Sequence, residues 1–168
     1  MKKTIGGLFT DSQSAGEAIA ELKEQGFTDK ISFIAKDEAG EVTSDTVKES
    51  VAEGAGIGAA TGGALGALIG VIAGTASVLI PGVGTFLVAG PLALIWGVTG
   101  GAIGALSGGV LGALIDAGIP EDKAEIYEER IMAGEVFVTV EAEESRLDDA
   151  LEIMEDHGVY EVATIEEK

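Results

Sequence analysis

The chain has 168 residues, with 10 basic and 29 acidic side chains, one histidine and no cysteine. A net charge of −19 works against nucleic-acid binding and against polybasic attachment to anionic lipid, because both need clustered Lys and Arg. Without cysteine there is no disulfide, no thiolate chemistry and no Cys-based metal site.

The length suits one domain with an insertion, or two small units. Charge is unevenly spread: residues 54–115 contain no Asp, Glu, Lys, Arg or His. A Gly/Ala/Leu/Ile block therefore sits between two acidic flanks. The opening MKKTIGGLFTDSQ has a basic pair but no long apolar run before Asp11, so it reads poorly as a signal peptide.

Residues 1–36 read as strand–helix–strand. KTIGGLFT is the first strand. Ser14-x-x-Glu17 is a possible capping box, with Asp11 and Ser12 as competing helix starts. Ala18, Ile19 and Leu22 recur at helical spacing, and Gly26 suits the position after the helix. KISFIAK then alternates Ile31, Phe33 and Ala35, as a half-buried strand does.

Residues 37–53 form a polar connector, expected to turn helical near Ser44. Residues 54–115 form the apolar block, in which glycine occupies 54, 58, 62, 66, 70 and 74, one every four residues. A helix over 54–80 would be about 40 Å long, against a hydrocarbon core of about 30 Å. The turn is expected at 81–91, carried by Pro81, Gly82, Gly84, Gly90 and Pro91. A second long apolar helix would fill 86–115. It has two small-residue rows: Gly100, Gly104, Gly108, Gly112, and beside it Gly97, Gly101, Ala105, Gly109, Ala113.

Each glycine inside a helix costs about 1 kcal/mol relative to alanine. A four-residue step keeps the bare positions on one slowly drifting face, so another backbone can approach closely. Close helix–helix contact offsets the propensity cost. The block therefore reads as a glycine-zipper hairpin that drives homo-oligomerisation. Two settings are open: a membrane hairpin in contact with lipid, or a soluble homo-oligomer whose apolar hairpins pack together or hold lipid- or quinone-like molecules. Lys48 and Lys123 flank the block on the domain side and favour a cytoplasmic domain.

Residues 116–134 follow as an amphipathic connector. Pro120 precedes an acidic first turn, Ala124, Tyr127 and Ile131 share one face, and Gly134 closes it. Residues 135–168 repeat the strand–helix–strand plan. Val136, Val138 and Val140 alternate with Phe137, Ser145-x-x-Asp148 opens a helix bearing Leu147, Leu151 and Met154, and Gly158 ends it. Sliding the first unit by about 132 positions lays Gly26 on Gly158, Leu22 on Met154 and Ala18 on Ala150. Two such units fit an α+β fold: a ferredoxin-like four-stranded antiparallel sheet with two helices, split by the inserted hairpin.

The pattern of residues 80–142, with the N-terminal IGGLFTDSQSAGEAIAELKEQGF and ISFIAK, resembles the bacterial and archaeal general-stress / low-temperature-induced protein family. The family's PGxGPxxAAGPL turn matches Pro81, Gly82, Gly84, Ala89, Gly90, Pro91 and Leu92, with Thr85 in place of the usual second proline. Its GIP-E and Y-E-x-x-x-x-x-G elements match Gly118, Ile119, Pro120, Glu121 and then Tyr127, Glu128, Gly134. The resemblance implies a stress-associated protein, usually assigned to the membrane. It brings no reaction, ligand or catalytic residue.

Chemistry is sparse. Gly54-x-Gly56-x-x-Ala59 matches a relaxed dinucleotide fingerprint, but TVKESVAE before it is no apolar strand. No phosphate-binding loop, H-E-x-x-H or G-x-S-x-G occurs. His157 reads as a surface group at a helix C-terminus, and Asp116 as a boundary or cap. The expectation is a non-enzymatic protein with no catalytic residue, cofactor or metal.

Overall fold

The computed structural model describes residues 1–27, 30–37, 76–80, 84–90 and 109–165. In chain order these form β1 (Lys2–Phe9), α1 (Ser12–Glu24), β2 (Ile31–Asp37), β3 (Ala76–Ile80), β4 (Gly84–Ala89), α2 (Gly109–Asp116), α3 (Glu121–Met132), β5 (Val136–Glu143), a 3-10 turn (Glu144–Arg146), α4 (Leu147–Asp156) and β6 (Tyr160–Ile165). The fold is α+β. The strands make one antiparallel sheet in the order β3-β4-β2-β5-β1-β6.

Strand alternation divides the core in two. Ile31, Phe33 and Ala35 of β2 and Val136, Val138 and Val140 of β5 point to one face, where Ala18, Ile19 and Leu22 of α1 and Ala150 and Met154 of α4 cover them. Leu8, Ile34 and Phe137 point to the other, beneath Val110 and Leu114 of α2 and Ala124, Tyr127 and Ile131 of α3. Each large apolar side chain so buried contributes about 1.5–3 kcal/mol. The connector expected at 116–134 is therefore a structural layer. The ring of Tyr127 lies 4.5 Å from that of Phe137, centroid to centroid.

Asp11 caps α1: its carboxylate accepts the Ser14 backbone N–H at 2.8 Å, which settles the choice among competing starts. That bond holds the Asp11 carboxyl below its usual range. The four α-helices among the described residues end alike. Gly26, Gly118, Gly134 and Gly158 have φ of 93°, 94°, 101° and 88°. The residue after each glycine donates its N–H back to the third-last helical carbonyl, as Phe27 does to Leu22 and Val159 to Met154, at 3.0 and 3.1 Å. These are Schellman ends, in which only glycine takes the left-handed backbone without a Cβ penalty. The matching ends of α1 and α4 agree with the repeat at a spacing of 132.

Three expectations are corrected. Among the described residues the sheet has six strands, not four. Residues 76–80 and 84–89, expected as the end of one long helix and the turn into the next, are the strands β3 and β4. Phe33 of β2 pairs with Ala89 and Asp37 with Thr85, while Ala76 pairs with Val88. The reason is local: Val78, Ile80, Thr85, Phe86 and Val88 are β-branched or aromatic, and Phe86 to Ala89 are buried in the sheet. Third, no helix among the described residues is long and apolar enough to cross a membrane. That overturns the reading of the chain as a membrane protein with a transmembrane hairpin. Within the turn expected at 81–91, residues 84–89 are instead a strand paired to β2 and β3.

Candidate functional site

α1 and α4 lie side by side and antiparallel on one face of the sheet, and a groove of about 280 Å3 runs between them. Glu21, Asp149, Glu152 and Asp156 line it, with Ile153 among the lining residues and Arg146 beside them. Arg146 joins the N-terminal end of α4 to the C-terminal end of α1. It donates to the Gln25 carbonyl at 2.8 Å, stacks 4.3 Å over the Phe27 ring and lies 3.8 Å from Asp149. A cation here meets both a helix-end carbonyl and an aromatic face, which favours guanidinium over ammonium.

The other end of the helix pair carries His157. Its Nε2 lies 2.7 Å from Glu21 Oε2 and its Nδ1 3.8 Å from Glu17 Oε2. The imidazole follows the last turn of α4, where it was expected, but it is partly buried and ties α4 to α1, which the expectation of a surface group did not include. Its carboxylate neighbours come from the facing helix. Arg146 and His157 bracket the helix pair, and both act as ties. Among the described residues no group of three or more His, Asp or Glu side chains is placed to hold a metal ion.

A second polar cluster lies on the opposite face, where α3 meets β6. The Tyr127 hydroxyl donates to the Glu161 carbonyl at 2.6 Å, and Lys123 Nζ lies 2.9 Å from Glu161 Oε2. Glu161 has φ of 51°, a left-handed backbone in a non-glycine residue. It falls where the β1–β6 register shifts between Gly6 and Leu8, so it is a bulge residue. The Tyr160 hydroxyl donates to a Glu135 carboxylate oxygen, and Arg130 lies 3.7 Å from the other. Burial, and then the nearby carboxylates, push both tyrosine hydroxyls up to about 12.

The residues expected to carry assembly divide between described and undescribed positions. Gly54, Gly58, Gly62, Gly66, Gly70 and Gly74 lie outside the described residues, as do Gly97, Gly100, Gly101, Gly104 and Gly108. So do Pro81, Gly82 and Pro91. Gly112 lies within α2 and is half-buried. Gly84 opens β4 opposite Ile80. Gly90 follows β4 with φ of 78°, and a Cβ there would collide with the Ile31 carbonyl and approach Ser32 Cα to 2.8 Å. Gly90 is thus the point where β4 closes on β2.

Sequence reading missed Arg146, Glu161 and the Tyr160–Glu135 pair. No local pattern announces them, because each depends on contacts between distant segments. Tyr127 was read as a core residue, and its ring is one; its hydroxyl bond was not foreseen. Comparison of the chain with family models, with curated proteins and with solved structures finds no match.

Proposed function

We propose that this protein is a non-enzymatic scaffold that works as a soluble homo-oligomer. Its glycine-rich segments pack against those of other copies and hold lipid- or quinone-like molecules between them. The acidic body that carries them is a ferredoxin-like core, β1–α1–β2 and β5–α4–β6, extended at one edge by β3 and β4. The order β2-β5-β1-β6 supports that reading of the core. Association with stress rests on the resemblance in the turn, GIP-E and Y-E elements.

The observation that carries the scaffold reading is the tether at β3 and β4. The apolar block is joined to the body through β2 before it and α2 after it, and again at its middle, where Phe86, Leu87, Val88 and Ala89 are buried. Both faces of the sheet already hold helices. The chain that carries the glycine rows at 54–74 and 97–108 is thus anchored in the body at β2, β3, β4 and α2. Their four-residue spacing suits contact between backbones.

The test is size-exclusion chromatography with light scattering on the full chain, purified without detergent, followed by mass spectrometry of an organic extract. A discrete oligomer carrying extractable lipid or quinone is expected. Gly62→Leu with Gly66→Leu should lower its mass, because bulk enters the bare face. A monomer at every concentration, or a double variant that assembles like the parent, would overturn the proposal.

A further inference from the structure

His157 is the one histidine in the chain, and it sits where two helices meet. It caps the C-terminus of α4, where the outward-pointing carbonyls favour a cation. Its side chain is 21% exposed, and two carboxylates of α1 approach it from successive turns. Nε2 lies 2.7 Å from Glu21 Oε2, within hydrogen-bond distance, whereas Nδ1 lies 3.8 Å from Glu17 Oε2, beyond it. The Gln13 side-chain amide holds the other Glu17 oxygen at 3.2 Å. The charge around the helix pair is otherwise mostly acidic. Asp149, Glu152 and Asp156 line the groove with Glu21, Glu155 lies in the last turn of α4, and Arg146 stands at the far end.

From this geometry we infer that His157 is a proton-operated latch between α1 and α4, with one bond made and a second one poised. A neutral imidazole has a single N–H. Placed on Nε2, it donates to Glu21, and the bare Nδ1 then turns a lone pair toward the Glu17 carboxylate, so the two keep apart. An imidazole takes up its second proton between about pH 5 and 8, a range in which carboxylates are mostly ionised. With that proton Nδ1 becomes a donor, Glu17 closes on it, and α1 is held at two successive turns. The imidazolium also offsets part of the repulsion between the acidic faces of the two helices. The latch is therefore at full strength below the imidazole range and slackens as pH rises through it. Arg146 keeps its charge throughout, so the other end of the helix pair is tied at every pH. Acidification thus tightens one end of this face and leaves the other as it is.

Hydrogen exchange on the full chain tests this, with His157→Gln for comparison, since glutamine keeps an N–H donor and takes up no proton. The variant-to-parent ratio of exchange rates at each pH cancels the intrinsic pH dependence of exchange. For the amides of α1 that ratio should rise about twofold to fivefold between pH 8 and pH 5.5, the size of a partly exposed ion pair. The ratio for β2 and β5 should not change. Glu17→Gln should show most of the same rise, because it removes the second bond and leaves the first. Nitrogen NMR of the unmodified chain gives a reading that needs no variant, and a single histidine makes the ring signals unambiguous. At pH 8 it should find the proton on Nε2 and Nδ1 bare. A ratio for α1 that ignores pH, or one that rises equally in β2 and β5, would overturn the inference. So would a Glu17→Gln protein that exchanges like the parent at both pH values, or a proton on Nδ1 at pH 8.

Discussion

Replacing Tyr127 by phenylalanine isolates one hydroxyl, because the ring stays in its buried place against Phe137. The hydroxyl donates at 2.6 Å to the carbonyl of Glu161, a residue held at φ of 51°. Losing such a bond costs about 1–2 kcal/mol at neutral pH, since the carbonyl loses its partner. Alkali adds a second signature. The folded Tyr127 hydroxyl titrates near 12, against an ordinary value of 10.0. Its contribution is fully present below pH 10 and is lost as pH rises through 12, because the folded state then holds a proton that the unfolded state has released. The loss reaches about 1.4 kcal/mol by pH 11, the equivalent of one pKa unit. Urea unfolding followed by far-ultraviolet circular dichroism at pH 7 and pH 11 measures both terms. Tyr127→Phe should be the less stable protein at pH 7, and most of the gap should close at pH 11. Tyr160 titrates in both proteins and cancels. A gap that stays constant between the two pH values would refute the reasoning.

Gly90→Ala should destabilise by more than about 2 kcal/mol, since it combines a left-handed backbone with a collision at Ile31. Hydrogen exchange should show the loss first at the β2–β4 pairing. Asp11→Ala removes the cap of α1 and should cost about 1 kcal/mol in urea unfolding. The Asp11 carboxyl is held low, so its contribution is present above the usual carboxylate range and disappears as pH falls through the folded value; the variant and the parent should converge in strong acid. With 29 acidic against 10 basic side chains, added KCl should raise the thermal midpoint by screening self-repulsion. A midpoint independent of salt would show that the acids of α1 and α4 do not strain the fold.

How far the sequence could be read depended on how locally each element is specified. The alternation of Ile31, Phe33 and Ala35, and of Val136, Val138 and Val140, assigned these residues to one face, and all six are buried there. Ala124, Tyr127 and Ile131 gave the buried side of α3 before the sheet beneath it was known. Gly26, Gly134 and Gly158 were legible as helix ends from backbone sterics alone, whereas Gly118, which ends α2, was read only as part of a motif. The strands β3 and β4 were misread because the apolar run around them is long, and a short buried strand inside such a run has no period of its own. The cue was the enrichment in Val, Ile, Thr and Phe between Ser77 and Val88, bounded by proline and glycine. Arg146, Glu161 and the groove between α1 and α4 were out of reach, since their partners are set by how the two halves pack.

The family-like motif residues also have clear structural work. Gly118 takes the left-handed turn that ends α2, and Pro120 stands at the N-terminus of α3. Tyr127 fills the core and fastens β6, Gly134 ends α3, and Gly90 lets β4 meet β2. A pattern made of such positions records how the body folds, and it would persist in proteins with different tasks. What distinguishes one task from another must then lie where packing of the body leaves the sequence free. In this chain the strongest regularity beyond the described residues is the four-residue glycine step from Gly54 to Gly74. In a helix each of these glycines would cost about 1 kcal/mol relative to alanine, a cost that close helix–helix contact would offset. Experiments on function therefore belong first on that row, with the acidic body left intact.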